Sequence, residues 1–331
     1  MSSDSTIGMQ QDNISTDLFV GRKTEQDLYA KLLSENTPWV LMITGLGGIG
    51  KSTLLNTLYT NTPSEICIVT FDFADRSLRT ESAAFIRRLA TETYRRCNIQ
   101  QNGETTNNFQ NYIQQLAILS TKPSLQISES ESVTEEIRSN QNELDERTSH
   151  EIYYQLRGLV TESFYDQLEI LPLKQLVFLL DTCELLTEPE GWEIGQWVMD
   201  ELLPGLHTRL QQIDKKFSVV IASRVKLQLE SIDKQDQQYI VLSMLEKGAV
   251  DQYLEHMGIR DHELHQRVYD ITHGHALCVS IIGKLWQEQS LTLADLPNLE
   301  KFSEIEKFSE YALMRFTNDY TGPRNLDTER G

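Results

Sequence analysis

Residues 45–52 read Gly-Leu-Gly-Gly-Ile-Gly-Lys-Ser, and the chain on either side gives the stretch its meaning. Upstream, Trp39-Val-Leu-Met-Ile-Thr44 is a short apolar run of the kind a buried strand uses. Downstream, Leu54, Leu55 and Leu58 recur at helical spacing. A G-x-x-x-x-G-K-[ST] turn between strand and helix aims successive backbone N–H groups and the helix N-terminus at an anion. In that arrangement Gly45, Gly47, Gly48, Ile49 and Gly50 form the cradle and Thr53 follows in the helix. Lys51 neutralises the β- and γ-phosphates, and the Ser52 hydroxyl ligates Mg²⁺. The sequence predicts a nucleoside phosphate ligand.

The same residues also contain Gly45-x-Gly47-x-x-Gly50, the dinucleotide fingerprint, and Asp72 ends the next predicted strand. An adenine ribose would want a carboxylate about there. The Lys51-Ser52 pair decides against a dehydrogenase, because the third glycine of that fingerprint serves helix packing and no cation is needed after it. The remaining parts of a nucleoside triphosphatase also lie further along the chain.

Leu176-Val-Phe-Leu-Leu-Asp181-Thr-Cys-Glu184 reads as a buried parallel strand ending in a carboxylate, at the edge where open α/β sheets bind ligands. Asp181 is expected to hold the Mg²⁺ shell, through water or through Ser52. Glu184 is the nearby carboxylate able to orient an attacking water. Phe217-Ser-Val-Val-Ile-Ala222 reads as another strand, followed by Ser223-Arg224, and Arg224 is expected to sense the γ-phosphate.

Phe19-Val-Gly-Arg22, Gly45 to Thr53, Leu-Leu-Asp181-Thr-Cys-Glu184 and Ala-Ser-Arg224 together resemble the STAND signal-transduction NTPases, NB-ARC proteins included, of bacterial type. The resemblance runs in order over roughly residues 17 to 290. It implies a P-loop α/β domain of additional-strand type, strand order 5-1-4-3-2, followed by a small all-helical lid. It also makes Val20 and Arg22 adenine- or phosphate-side residues and Gly274 a lid contact. Two departures stand out. Lys23 replaces the glutamate usual after V-G-R, and Gly274-His275-Ala276 replaces G-x-P, with alanine for proline.

The implied function is an ATP/ADP-binding switch with slow Mg-dependent hydrolysis, coupling nucleotide state to lid opening and to a protein partner or a second copy. Two other classes fit the motifs: a nucleotide-gated scaffold without hydrolysis, and an origin-recognition-type AAA+ ATPase acting on DNA. The net charge of −19 weighs against direct nucleic-acid binding, whose affinity comes largely from neutralising phosphates. No apolar run approaches the roughly 18 residues of a membrane span, and the N-terminus is polar, so a cytoplasmic location is expected. Cysteines 67, 97, 183 and 278 lack metal spacing, and Cys67 and Cys278 fall in apolar core-like segments. His273 and His275 flank Gly274 as surface or nucleotide-proximal residues and not as metal ligands.

The expected organisation is a flexible tail (1–16), a nucleotide-binding domain (17–242), a lid (243–315) and a second tail (316–331). Within the domain, 98–149 is rich in Gln, Asn, Ser and Glu and reads as a flexible acidic insertion, with a short helix around Tyr112 to Ile118. Thr24 and Asp27 open a first helix, Ile66 to Asp72 is the second strand, and Phe85, Ile86, Leu89 and Ala90 mark the helix after it. A helix bearing Ile152 to Leu168 feeds the Asp181 strand. Trp192, Trp197 and Leu202 lie on another, interrupted by Pro204-Gly205. Tyr239 to Leu242 closes the sheet, and Ser243 to Glu246 reads as a capping box before helices only.

Overall fold

Four short apolar stretches and a fifth, more polar one pair side by side into one parallel sheet in the computed structural model. It describes residues 18–96, 157–158, 161–169, 171 and 173–287. The strands are β1 (Val40–Thr44), β2 (Cys67–Asp72), β3 (Gln175–Asp181), β4 (Lys216–Ser223) and β5 (Gln237–Val241). Their spatial order is β2-β3-β4-β1-β5, which is 5-1-4-3-2 read from the other edge. This is the order of an additional-strand P-loop NTPase, as the resemblance implied. β1 and β4 are buried along nearly their whole length, as central parallel strands covered on both faces must be. β5 is an edge strand, and its Tyr239 and Val241 stay exposed.

The helices, numbered in chain order, are α1 (Lys23–Ser34), α2 (Lys51–Asn61), α3 (Arg76–Thr80), α4 (Ser82–Arg96) and α5 (residues 161–169). Then come α6 (Trp192–Gln196), α7 (Leu203–Gln212), α8 (Lys247–His256), α9 (His262–Thr272) and α10 (Ala276–Gln287). The chain forms two compact units. One, here the sheet unit, takes Gln26–Thr44 and Leu58–Val241. The other, the loop unit, draws on Met1–Glu25, Gly45–Thr57 and Leu242–Gly331, of which 18–25, 45–57 and 242–287 are described.

The sheet unit is held by an aromatic cluster. Phe178 on β3 meets Phe71 edge-on at 5.7 Å and Phe217 at 5.1 Å, so three adjacent strands share one contact. Phe85 on α4 stacks on Phe71 at 4.4 Å and receives the edge of Trp197 at 5.7 Å. The loop unit has its own smaller core, in which Val250 and Leu254 of α8, Leu264 and Val268 of α9, and Cys278 and Ile282 of α10 pack together. Cys67 and Cys278 are buried, as expected from their segments, and Cys183 is buried as well.

Two local expectations are corrected. Pro204-Gly205 does not break the helix: α6 runs through a π-helical stretch, Trp197–Leu202, into α7, and Pro204 sits in the first turn of α7. Pro204 has no N–H to continue the helical ladder, and the wider π turn just ahead of it is where the continuous helix takes up that loss. Gly205 is needed for packing, since a Cβ on it would lie 2.4 Å from the Tyr165 hydroxyl oxygen. That hydroxyl donates to the Leu202 carbonyl at 3.4 Å. The capping box also fails, because α8 begins at Lys247 with Glu246 as N-cap and no side-chain cap. The insertion 98–149, the helix around Tyr112 to Ile118, Cys97, Ile152 to Leu156, both tails and the lid beyond 287 lie outside the described residues.

Phe178→Ala removes the ring shared by three strands. It should lower the unfolding free energy by about 3–5 kcal/mol, read from the denaturant midpoint of the sheet-unit transition. A loss below about 1 kcal/mol would show that this cluster does not hold the sheet.

Candidate functional site

The loop after β1 has all its leading carbonyls engaged within the loop unit. The Lys51 ammonium donates to the carbonyls of Gly45 (2.8 Å) and Leu46 (2.9 Å). His275 Nε2 bonds the Gly47 carbonyl at 2.9 Å. The Leu277 N–H, an orphan donor in the first turn of α10, reaches the Gly48 carbonyl at 2.9 Å. Arg22 donates through a terminal guanidinium nitrogen to the Ile49 carbonyl at 3.1 Å. Gly48 and Gly50 hold positive φ (+72° and +101°), and a Cβ on Gly48 would lie 2.8 Å from His275 Cε1 and 2.9 Å from Leu277 Cβ. Glycine is therefore required at 48 both for the turn and for the approach of α10.

Peptide planarity turns those anchors into donor geometry. The loop peptides are trans, so each C=O points opposite to the following N–H. With the carbonyls of Gly47, Gly48 and Ile49 held by His275, Leu277 and Arg22, the N–H groups of Gly48, Ile49 and Gly50 face away from these anchors. Ile49 N–H makes only a long turn contact, 3.4 Å to the Leu46 carbonyl. N–H groups turned away from bonded carbonyls in a glycine turn are the donors from which an anion nest is made.

The other expected nucleotide-side residues fall as follows. Val20 is buried. Arg22 is buried at 6% side-chain exposure and pairs with Glu25 at 3.5 Å. Its φ of +60°, after Gly21 at +69°, is a left-handed backbone that a side chain adopts only when its surroundings enforce it. Burial pulls the guanidinium pKa down and Glu25 opposes this. Ser52 is exposed and Thr53 half-buried on the first turn of α2. Gly274, at φ +79°, is packed on the backbone of Leu245, where a Cβ would meet the carbonyl oxygen at 1.9 Å. Leu245 N–H donates to the Gly274 carbonyl at 2.8 Å.

His275 was expected on the surface or near nucleotide and is buried. Burial lowers its pKa, with the bond to Gly47 partly offsetting. The ring is thus neutral near pH 7, and because a carbonyl only accepts, the proton sits on Nε2. Its Nδ1 has no hydrogen-bond partner among the described residues.

The carboxyl edge of the sheet gathers the second group of residues, all in the sheet unit. Asp72 and Asp181 stand opposite each other at the ends of β2 and β3. Thr182 follows in the left-handed region at φ +58°, an uncommon conformation for a β-branched residue. It is held by its N–H donating to Asp181 Oδ1 (2.8 Å) and its hydroxyl donating to Asp72 Oδ1 (2.7 Å). That turn aims the short 3₁₀ segment Cys183–Thr187, which carries Glu184. Glu184 binds Arg224 twice, Oε1 to Nε at 3.0 Å and Oε2 from the backbone N–H at 3.0 Å. Arg224 lies beyond the end of β4, between β3 and β1, as expected. The Glu184–Arg224 pairing itself had no sequence signal. Burial first, then the charges of Asp181, Glu184 and Asp72, push the Cys183 thiol well above its usual range, so it is no nucleophile.

Ser52 in the loop unit carries a hydroxyl and Asp181 in the sheet unit a carboxylate, each an oxygen donor of the kind a hard cation such as Mg²⁺ takes beside phosphate oxygens and water. Among the described residues no cluster of three or more His, Cys, Asp or Glu is placed to hold a metal.

No protein-family model matches the sequence, and no curated protein matches it. Solved structures do resemble it in shape. One is a STAND protein with a tetratricopeptide repeat sensor from Pyrococcus horikoshii, at 14% identity and TM-score 0.43, covering 83% of this chain and 33% of that one. The chain thus spans about a third of that protein. Another is the Drosophila ORC bound to DNA, at 12% identity and TM-score 0.44, covering 92% of this chain and 71% of that one. A third is the FIGL-1 AAA domain in complex with ADP, at 10% identity and TM-score 0.39, covering 96% of this chain and 92% of that one. No described helix is long and apolar enough to cross a membrane.

Gly48→Ala introduces a Cβ where His275 and Leu277 already sit. It should speed amide exchange of Leu277 at least about tenfold, since that N–H loses its acceptor. Unchanged protection at Leu277 would show that the loop and the start of α10 are not bonded in solution.

Proposed function

We propose that this chain is an ATP- and ADP-binding molecular switch of STAND, NB-ARC-like type that hydrolyses ATP slowly with Mg²⁺. The observation that supports the reading is the loop at 45–52, whose carbonyls from Gly45 to Ile49 each have a donor, from Lys51, His275, Leu277 and Arg22. In this reading Gly45, Gly47, Gly48, Ile49, Gly50 and Thr53 shape the loop, Lys51 moves its ammonium onto the phosphates, and Ser52 and Asp181 serve Mg²⁺. Bound Mg²⁺ supplies charge neutralisation at the phosphates. Val20, Arg22 and Gly274 shape the surroundings of the nucleotide.

Glu184 is the proposed water-orienting base and Arg224 the γ-phosphate sensor. Their mutual bonds support slow turnover, because a carboxylate held toward Arg224 through both oxygens must turn to orient a water. Thr182, not a carboxylate, directly follows Asp181, which leaves the base to the segment that starts after a strained residue. We further propose a cytoplasmic protein, with nucleotide state read out by a protein partner or a second copy. The domain scheme of 17–242, with the insertion 98–149 inside it, and lid 243–315 belongs to the same proposal. The charge of −19 disfavours the DNA-acting alternative.

Lys51→Ala should abolish ATP and ADP binding by calorimetry while leaving circular dichroism unchanged. The parent should hydrolyse ATP between roughly 10⁻⁴ and 10⁻² s⁻¹ in single turnover, the range of switch NTPases without and with an arginine in cis. Glu184→Gln should trap ATP. Several turnovers per second, or a Glu184→Gln protein as fast as the parent, contradicts the assignment.

A further inference from the structure

The three side chains that anchor the loop carbonyls are not equivalent. Lys51 is part of the loop itself, and Arg22 comes from the segment just before α1. His275 comes from the turn between α9 and α10, more than 200 residues along the chain from the carbonyl it holds. That turn is rigid in its own right. His273 and Gly274 both take the left-handed backbone, Thr272 Oγ1 donates to the Val268 carbonyl at 2.8 Å, and His275 N–H donates to the Thr272 carbonyl at 2.9 Å. The imidazole therefore projects from a fixed base. Its Nε2–H reaches Gly47, and two residues on the Leu277 N–H reaches Gly48, so adjacent peptide groups of the loop are held from one side by the start of α10.

We infer that His275 is a positioning residue for phosphate binding: it fixes the peptide plane between Gly47 and Gly48, and so makes the phosphates and the start of α10 report on one another. This rests on the reading of the loop as a phosphate site. The physical reason is peptide planarity. If the Gly47 carbonyl loses its donor, the glycine-flanked peptide is free to rotate, and the Gly48 N–H leaves the nest. A phosphate that needs that N–H then also needs the imidazole in place, and by linkage bound phosphate favours the docked turn. Arg22 holds Ile49 and the Lys51 ammonium holds Gly45 and Leu46 from nearby in sequence, whereas His275 bonds its loop carbonyl from beyond β5. Charge is not the means, because the ring is buried and neutral and its Nδ1 meets no hydrogen-bonding group among the described residues.

The test uses the full chain with Mg-ADP and Mg-ATP as probes in calorimetry. His275→Leu removes the donor, and His275→Gln returns an N–H donor at a similar reach. The Leu variant should bind both nucleotides about tenfold more weakly, the cost of leaving a carbonyl without its partner, and the Gln variant should recover most of that loss. Recovery by Gln is what a purely packing role would not give. Should the Leu variant fail to fold, the imidazole ¹⁵N spectrum of the parent decides. The inference expects the Nε2-protonated form, with Nε2–H exchange slowed by Mg-ADP, and exchange indifferent to nucleotide overturns it. A parent that binds while His275→Leu binds equally well, or His275→Gln binds as poorly as His275→Leu, overturns this inference alone. A parent that binds neither nucleotide overturns the phosphate-site reading and this inference with it.

Discussion

Backbone carbonyls are the obstacle that any anion site made of main chain must overcome, because each one carries partial negative charge and sits beside the N–H meant to hold the anion. Here the carbonyls from Gly45 to Ile49 are each given a donor: Lys51 takes two, His275, Leu277 and Arg22 one apiece. Everything else known of the loop follows from that constraint. Gly48 must lack a side chain because the donors come close, Arg22 must accept a left-handed backbone to bring its guanidinium in, and the turn before α10 must be tight enough to present both a ring nitrogen and a backbone N–H.

The carboxyl edge of the sheet shows the same economy with side chains. Asp72 and Asp181 face each other across neighbouring strands, and Thr182 donates to both, which helps hold its uncommon backbone. Beyond it Glu184 is fastened to the chain end of β4 by Arg224, through the side chain and the main chain together. The Arg224 side chain is 66% exposed, so the ion pair alone is worth little stability. Its consequence is for chemistry: the carboxylate and the guanidinium at this edge of the sheet are engaged with one another.

Strands were legible because a buried parallel strand is a run of apolar residues with a polar residue at its end, and four of the five runs here end at Thr44, Asp72, Asp181 and Ser223. Their spatial order was not legible from periodicity and came from the resemblance alone. The loop was legible because its chemistry is local in sequence. His275 was not, since a buried imidazole that serves a carbonyl over 200 residues away has the same local signal as a surface histidine beside a glycine. Pro204 misled for a related reason. The π-helical turn ahead of it and the Tyr165 hydroxyl on the Leu202 carbonyl are tertiary accommodations that no local rule encodes.

The central claim is that phosphates are held by main-chain N–H groups whose carbonyls are tied away from them. Residue-resolved amide exchange of the parent chain, with and without Mg-ATP, tests it most directly. The account predicts that the amides of Gly48, Ile49 and Gly50 become strongly protected when nucleotide is added. Saturating nucleotide that leaves those three amides exchanging at the rate of the free chain would contradict it.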